Sequence, residues 1–334
     1  DVTVSSDTAL DSSCTHRATL HIAVSGVVLD CRHSRIDAAG REFGIVVGGR
    51  QSVRDVTVRN CSVTGGGTGI FIGLLESDAA KLARHGREAL YEITPHDVRI
   101  EDSSVQDSTG VGIFVDDYAS RVVVSRVAVK GSGSAGIYLE HSSRNNRVLD
   151  STITGNGFGK FPRLRFGKSR REGIAVDSSA HNHIEGNRIS GNAAGGIFLY
   201  KNCHEYATSN PHSVPRWQHS DHNLITGNVI EIETVGVWLA SRQSRDLSGL
   251  DCGDAPYSGT SHFLDHAAHN VVDSNTFKGV TTGVVVEDDF NTVSGNTFLD
   301  TGLPIEIRAH RRREVLGRSV EGTTVRDNIV VSPR

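Results

Sequence analysis

The residues able to do chemistry crowd the middle of this chain. Lys168, Arg171, Glu172, Asp177, Tyr200, Lys201, Glu205, His219, Asp221, His222, Arg242, Asp265 and His266 mix cations, carboxylates, imidazoles and a phenol. Such a set suits removal of a poorly acidic proton beside a carboxylate, as in β-elimination or epimerisation of a uronic acid. A cation must neutralise the carboxylate while enolate charge develops. A Lys, His or Tyr takes the proton, and a Tyr or His protonates the departing oxygen. Lys201, beside Tyr200 at the end of an apolar run and with Arg242 one repeat onward, is the leading candidate. The expected catalytic set is Tyr200, Lys201, His219, His222 and Arg242. The expected binding set is Lys168, Arg171, Glu172, Asp177, Tyr138, Trp238, Glu205, Asp265 and His266.

Asp116, Glu140 and Asp177 occupy one outward position on successive repeats. Strands stack about 4.8 Å apart, so neighbours in that row stand about 5 Å apart and the outer pair about 10 Å. Those spacings bracket the carboxylate separations of glycosidases. The same row would suit calcium, the cofactor such clustered oxygens imply. Between Gly157 and Arg171 six cations, Lys160, Arg163, Arg165, Lys168, Arg170 and Arg171, alternate with Phe158, Phe161 and Phe166. In a chain of net charge -4 this local patch points to an anionic ligand. His219 and His222, with His204, His212, His262 and His266, match no established zinc pattern. Sugar-facing or solvated loop histidines are the preferred reading.

The positioning elements are legible in a returning phrase: GIVV at Gly44, GIFI at Gly69, GIFV at Gly112, GIYL at Gly136, GIAV at Gly173, GIFL at Gly196, GVWL at Gly236 and GVVV at Gly283. A second phrase, Asn followed by a short apolar run, recurs at Asn187, Asn228, Asn275, Asn296 and Asn328. Two strands per coil and a period of roughly 21–25 residues describe a parallel β-helix. Side chains alternate along a strand. Two inward columns follow, Ile45 through Ile305 and Val47 through Ile307, and an outward aromatic stripe of Phe114, Tyr138, Phe198 and Trp238. The stripe is a linear platform for a polymer, with Phe114 and Phe198 expected beneath packed loops. The Asn stack, with Cys61, Ser103 and Ser151 in register, is structural.

The expected architecture is all-β: one domain over 1–334, with an N-terminal cap and first coil over 1–40 and the remaining coils over 41–334. Insertions are expected at 74–95, 157–171, 202–222 and 241–269, the first holding a short helix N-capped by Ser77. Nothing in the balance of charge argues for nucleic acid, and no apolar run is long enough to span a membrane. The chain starts at Asp1 and contains no Met, which reads as a processed, secreted product, extracellular or periplasmic. Five cysteines fit that compartment. Cys203 and Cys252 are expected to bridge two loops, and Cys61 to be a buried free thiol.

From about Val27 to Val331 the phrases N-x-I-x-x-N and GI-hydrophobic-x-hydrophobic resemble the coils of right-handed β-helix proteins that process carbohydrates: pectate and alginate lyases, alginate C5-epimerases, galacturonases and phage tailspikes. The alginate epimerase signature Asp-Pro-His-Asp survives only as Pro95-His96-Asp97, and the galacturonase motifs are missing. The resemblance therefore implies an architecture and a substrate class. With the basic loop it implies a monomeric lyase of an alginate-like anionic polysaccharide. A hydrolase using Asp116, Glu140 or Asp177, an epimerase, and a noncatalytic carbohydrate-binding solenoid are the alternatives.

Overall fold

The computed structural model describes residues 1–75, 85–159, 170–203 and 216–331. The chain winds into three parallel sheets of eleven strands each, every turn adding one strand to each sheet. Three strands per coil replace the expected two. The returning Gly phrase forms the first sheet and the Asn phrase the third. The second consists largely of three-residue strands such as Arg147–Leu149 and His183–Glu185, each with one inward apolar residue. One inward residue per strand is too short a run to show alternation.

Strand register in the first sheet matches the sequence columns. Ile70 pairs with Ile113, Ile113 with Ile137, Ile137 with Ile174, Ile174 with Ile197 and Ile197 with Val237. These residues and the column two positions on are buried from turn to turn. Each such side chain contributes about 1.5–3 kcal/mol of apolar burial. The columns fade at the last turn, where Ile305 is half-buried and Ile307 exposed, because no further coil covers them. Residues 1–40 already supply strands to all three sheets, from Val2–Val4 through Arg35–Asp37.

The glycine opening each first-sheet phrase is required by close approach. A Cβ on Gly112 would lie 2.5 Å from the carbonyl oxygen of Gly136, and one on Gly236 would lie 2.5 Å from that of Gly283. Side-chain amides bind the corners along the axis. Between the second and third sheets, Asn187 donates its backbone N and Nδ2 to Asn228 Oδ1, both at 2.9 Å, and the pattern continues through Asn275, Asn296 and Asn328. Ser151 and Ser103 extend it toward Cys61. A second ladder, Asn146, Asn182, Asn223, Asn270 and Asn291, lines the corner between the first and second sheets. At the third corner Asn156 bonds Asn192, and Glu233 takes the next place. Buried backbone groups that no strand serves are satisfied in this way.

Cys61 is no free thiol. It is bonded to Cys31 on the preceding coil, at the same corner, with Cα atoms 4.8 Å apart. Cys203 and Cys252 are bridged as expected, and Cys14 is exposed and unbridged.

Insertions 74–95, 202–222 and 241–269 all leave the C-terminal ends of first-sheet strands, while 157–171 enters that sheet from the opposite edge. They flank one outer face. Ser77 lies outside the described residues, and the described helix of its insertion is Arg87–Ile93, which buries Leu90 and Tyr91 near Tyr118. A further helix, His310–Leu316, seats Arg312 on Asp288 and Asp289. No helix among the described residues is long and apolar enough to cross a membrane.

Candidate functional site

Strands Ile174–Asp177 and Ile197–Tyr200 pair with Asp177 opposite Tyr200. Alternation sends Ile197 and Leu199 into the core and Phe198 and Tyr200 outward. The Tyr200 hydroxyl donates to Glu172 Oε1 at 2.8 Å and accepts from Arg171 Nη2 at 2.7 Å, while Arg171 also holds Glu172 at 3.1 Å. The Arg242 guanidinium lies over the Tyr200 ring, 4.7 Å from its centre. One coil earlier, Asp177 Oδ2 accepts from the Tyr138 hydroxyl at 2.7 Å, and its Oδ1 accepts from the Asn202 backbone N at 2.8 Å. Burial raises the pKa of both phenols well above its ordinary value, so they stay protonated. Burial pulls the Arg171 guanidinium down, but the Glu172 carboxylate beside it holds its pKa well above the usual value. A phenol between a guanidinium and a carboxylate is poised to move a proton. Tyr200 is 2 % exposed, and the Arg171 side chain, 21 % exposed, is the part of the group that meets solvent.

A second group begins one residue on. Lys201 is fully buried, and its Nζ reaches Asp254 Oδ2 at 2.5 Å. Its backbone N and that of Arg242 donate to the two oxygens of Asp265 at 2.6 and 2.7 Å. Burial pushes Asp265 up to about 8 against those two bonds. Burial likewise pulls the Lys201 pKa down, with Asp254 opposing. His219 Nε2 lies 3.2 Å from both Asp254 oxygens, and its Nδ1 lies 3.3 Å from Asp221 Oδ2. Burial lowers the His219 pKa, but Asp221 and Asp254 overcome it and bring it to about 9. Burial would raise Asp254, yet His219 and Lys201 bring it to about 2. The His266 ring stacks on His219 at 4.3 Å, with Nδ1 3.7 Å from Asp288. The Cys203–Cys252 disulfide ties the loop carrying Asp254 to the strand end carrying Lys201.

The remaining expected residues fall elsewhere. His222 takes a left-handed corner conformation, φ 58°, and stacks with His181 and His269 in an exterior column away from Lys201. His219 stacks on His266 instead. Trp238 packs edge-on against Phe198 and directs Nε1 to Glu287. Tyr138 and Phe198 are buried in a small apolar cluster with Phe114 and Trp238 at its margin, so the stripe is covered and no open platform. Lys168, Glu205 and most of the basic loop lie outside the described residues. Of the acid row, Asp116 and Glu140 join Asp117, with ligand oxygens within 4.8 Å of one another, and Arg216 donates to Glu140 at 3.0 Å. Those three are the carboxylates that could hold calcium. Asp177 is engaged by Tyr138, Asn202 and Ser178 instead. Asp254 and Arg216 sit outside the repeat, and a position two residues past Cys252 was the one available signal for Asp254; Asp117 lies in the repeat, one residue beyond the acid row.

The fold has solved counterparts. The crystal structure of an alginate lyase from Paenibacillus sp. str. FPU-7 superposes with TM-score 0.56 at 11% identity, covering 90% of each chain. The Dettilon tailspike protein gives 0.54 at 15% identity, over 99% of this chain and 55% of that one. A tailspike variant of E. coli bacteriophage HK620, in complex with pentasaccharide, gives 0.51 at 12% identity, over 96% and 52%. The chain thus spans about half the length of the tailspikes, and at these identities the likeness is one of fold. No curated protein matches the sequence. The family model described as right handed beta helix region matches residues 43–211 and, in an overlapping alignment, 96–245. With three parallel sheets wound about those same residues, this chain belongs to the right-handed β-helix family.

Proposed function

We propose that the chain is a secreted polysaccharide lyase that cleaves a uronate-containing, alginate-like polymer by β-elimination. The observation that carries this reading is the Tyr200 hydroxyl held between Arg171 and Glu172, with Arg242 over its ring. In elimination the C5 proton leaves, the C4–O bond breaks, a C4=C5 double bond forms and the departing oxygen takes a proton. With Arg171 drawn from the hydroxyl onto the uronate, Tyr200 passes its proton to Glu172 as it accepts the one from C5, protonates the leaving oxygen, and takes its own proton back from Glu172. Arg171 and Arg242 neutralise the uronate carboxylate as negative charge builds. Lys201, its Nζ engaged by Asp254, positions the strand end. The alginate lyase fold likeness and the two disulfides, which favour an oxidising compartment, support the reading. It requires no partner subunit.

The test is incubation with alginate, polygalacturonate and neutral polysaccharides, followed by ultraviolet absorbance of the unsaturated uronate. Elimination predicts absorbance growing with chain cleavage on a polyuronate alone. New reducing ends without absorbance would move the activity to hydrolysis, for which Asp116 and Glu140 offer a pair of carboxylates with oxygens within 4.8 Å of one another. Exchange of the C5 proton without cleavage would make it an epimerase. Binding without turnover would make it a carbohydrate-binding solenoid.

A further inference from the structure

His219, Asp254 and His266 each offer one ligand atom, and the three atoms lie within 4.8 Å of one another. Two imidazoles and a carboxylate are a donor set suited to divalent transition ions. Zinc takes imidazole N and carboxylate O at about 2.0–2.2 Å, with a position left for water.

Each ring is also oriented for that task. His219 turns Nδ1 to Asp221 at 3.3 Å and Nε2 to Asp254 at 3.2 Å. His266 turns Nδ1 toward Asp288 at 3.7 Å, which leaves Nε2 as its ligand nitrogen. Ligating histidines are commonly fixed in this way, by a carboxylate on the nitrogen away from the metal. The two supporting carboxylates are themselves held: Asp221 accepts from the Ala268 backbone at 2.7 Å, and Asp288 from Ala267 at 2.8 Å and Arg312 at 2.7 Å. Lys201 fixes the third ligand by engaging Asp254 Oδ2, and Oδ1 lies 3.2 Å from His219 Nε2, a spacing at which both atoms can reach one ion. The Cys203–Cys252 bridge anchors the loop on which Asp254 sits. The three side chains are 28–30 % exposed, so an ion can enter from solvent.

We propose that His219, Asp254 and His266 form a binding site for one divalent transition-metal ion of the zinc type. The proposal does not depend on the elimination reading, because binding is measured without a polysaccharide.

The experiment uses the full chain carrying Cys14→Ser, which removes the exposed thiol as a competing ligand. After chelator treatment the protein is dialysed against Zn2+ and, separately, Co2+. Elemental analysis gives the stoichiometry, and the visible Co2+ spectrum reports the coordination. One ion per chain is expected, with a Co2+ spectrum of low coordination number. His266→Ala and Asp254→Asn should each weaken Zn2+ binding by more than about tenfold, and Asp221→Asn by about 10–100-fold, the range for loss of an outer-sphere partner. His269→Ala, in the exterior column, should leave the affinity unchanged. Circular dichroism checks that each variant is folded. Should His266→Ala or Asp254→Asn not fold, the parent Co2+ spectrum and Asp221→Asn decide alone. Absence of stoichiometric binding by the parent, or folded site variants that bind like it, would overturn the assignment.

Discussion

Arg171 and Tyr200 stand 29 positions apart in the chain and share a 2.7 Å hydrogen bond. The bond exists because one turn of the solenoid returns the strand that follows Arg171 to lie beside the strand that ends in Tyr200. Glu172 completes the triangle through the same hydroxyl at 2.8 Å. A phenol in that position is both ordered and polarised.

Tyr200→Phe keeps the ring beneath Arg242 and removes the shared hydroxyl. Turnover should fall by about 10²–10⁴-fold, the usual contribution of a positioned acid–base group, while polymer affinity stays near that of the parent. Steady-state rates and a direct binding assay give the two numbers. An unchanged kcat would remove Tyr200 from the chemistry.

Asn228→Ala deletes the acceptor for two donors of Asn187 and two donations by its own Nδ2, to Ile184 O and Asn275 Oδ1. Several groups in a dry corner lose partners together. A loss of about 2–4 kcal/mol in urea unfolding is expected, since each stranded buried polar group costs about 1–3 kcal/mol.

Glu233 occupies the place an amide holds in the other ladders, accepting from Asn192 at 2.8 Å. Burial pushes its pKa up to about 7 from 4.5, with the Asn192 bonds opposing. Below pH 4.5 the carboxyl is protonated in folded and unfolded chains alike and nothing is lost. As pH rises from 4.5 through 7 the unfolded chain gains the favourable ionisation first, so stability falls, by on the order of 3 kcal/mol. Glu233→Gln should flatten that slope and be more stable than the parent at pH 8. Thermal melts at pH 4 and pH 8 compare the two.

Cys252→Ser frees the loop that brings Asp254 to Lys201. Stability should drop by about 2–4 kcal/mol, as for loss of a disulfide closing a loop of this order. Limited proteolysis should cut within 241–269 before any other described segment. Initial cleavage elsewhere would mean that the bridge does not restrain that loop.

Ile45, Ile70 and Ile113 announce themselves because a two-residue alternation repeated at every turn is a strong pattern. Asn187 and Asn228 do so because one corner recurs in one phrase. Val148 and Ile184 are each the one buried residue of a three-residue strand, too short a run to show alternation, so the second sheet stays hidden. Asp254 belongs to no period and is placed by a disulfide, which spacing alone does not reveal. His219 and His222 stand three positions apart, yet the His222 ring stacks with His181 and His269 while that of His219 stacks on His266. Tyr200, Arg171 and Glu172 were each legible as chemistry-bearing residues; their common hydroxyl was not, because the contact depends on how the entering loop meets the strand.

The glycines at 112 and 236 have carbonyl oxygens from the next turn where a side chain would begin. Any heavier residue there would prise two rungs apart, and every rung above would inherit the tilt. Drift at these sites is therefore vetoed locally, whatever the distant active groups do. The motif persists as a standing mechanical requirement, and the rod can be lengthened or shortened only by whole windings that carry it.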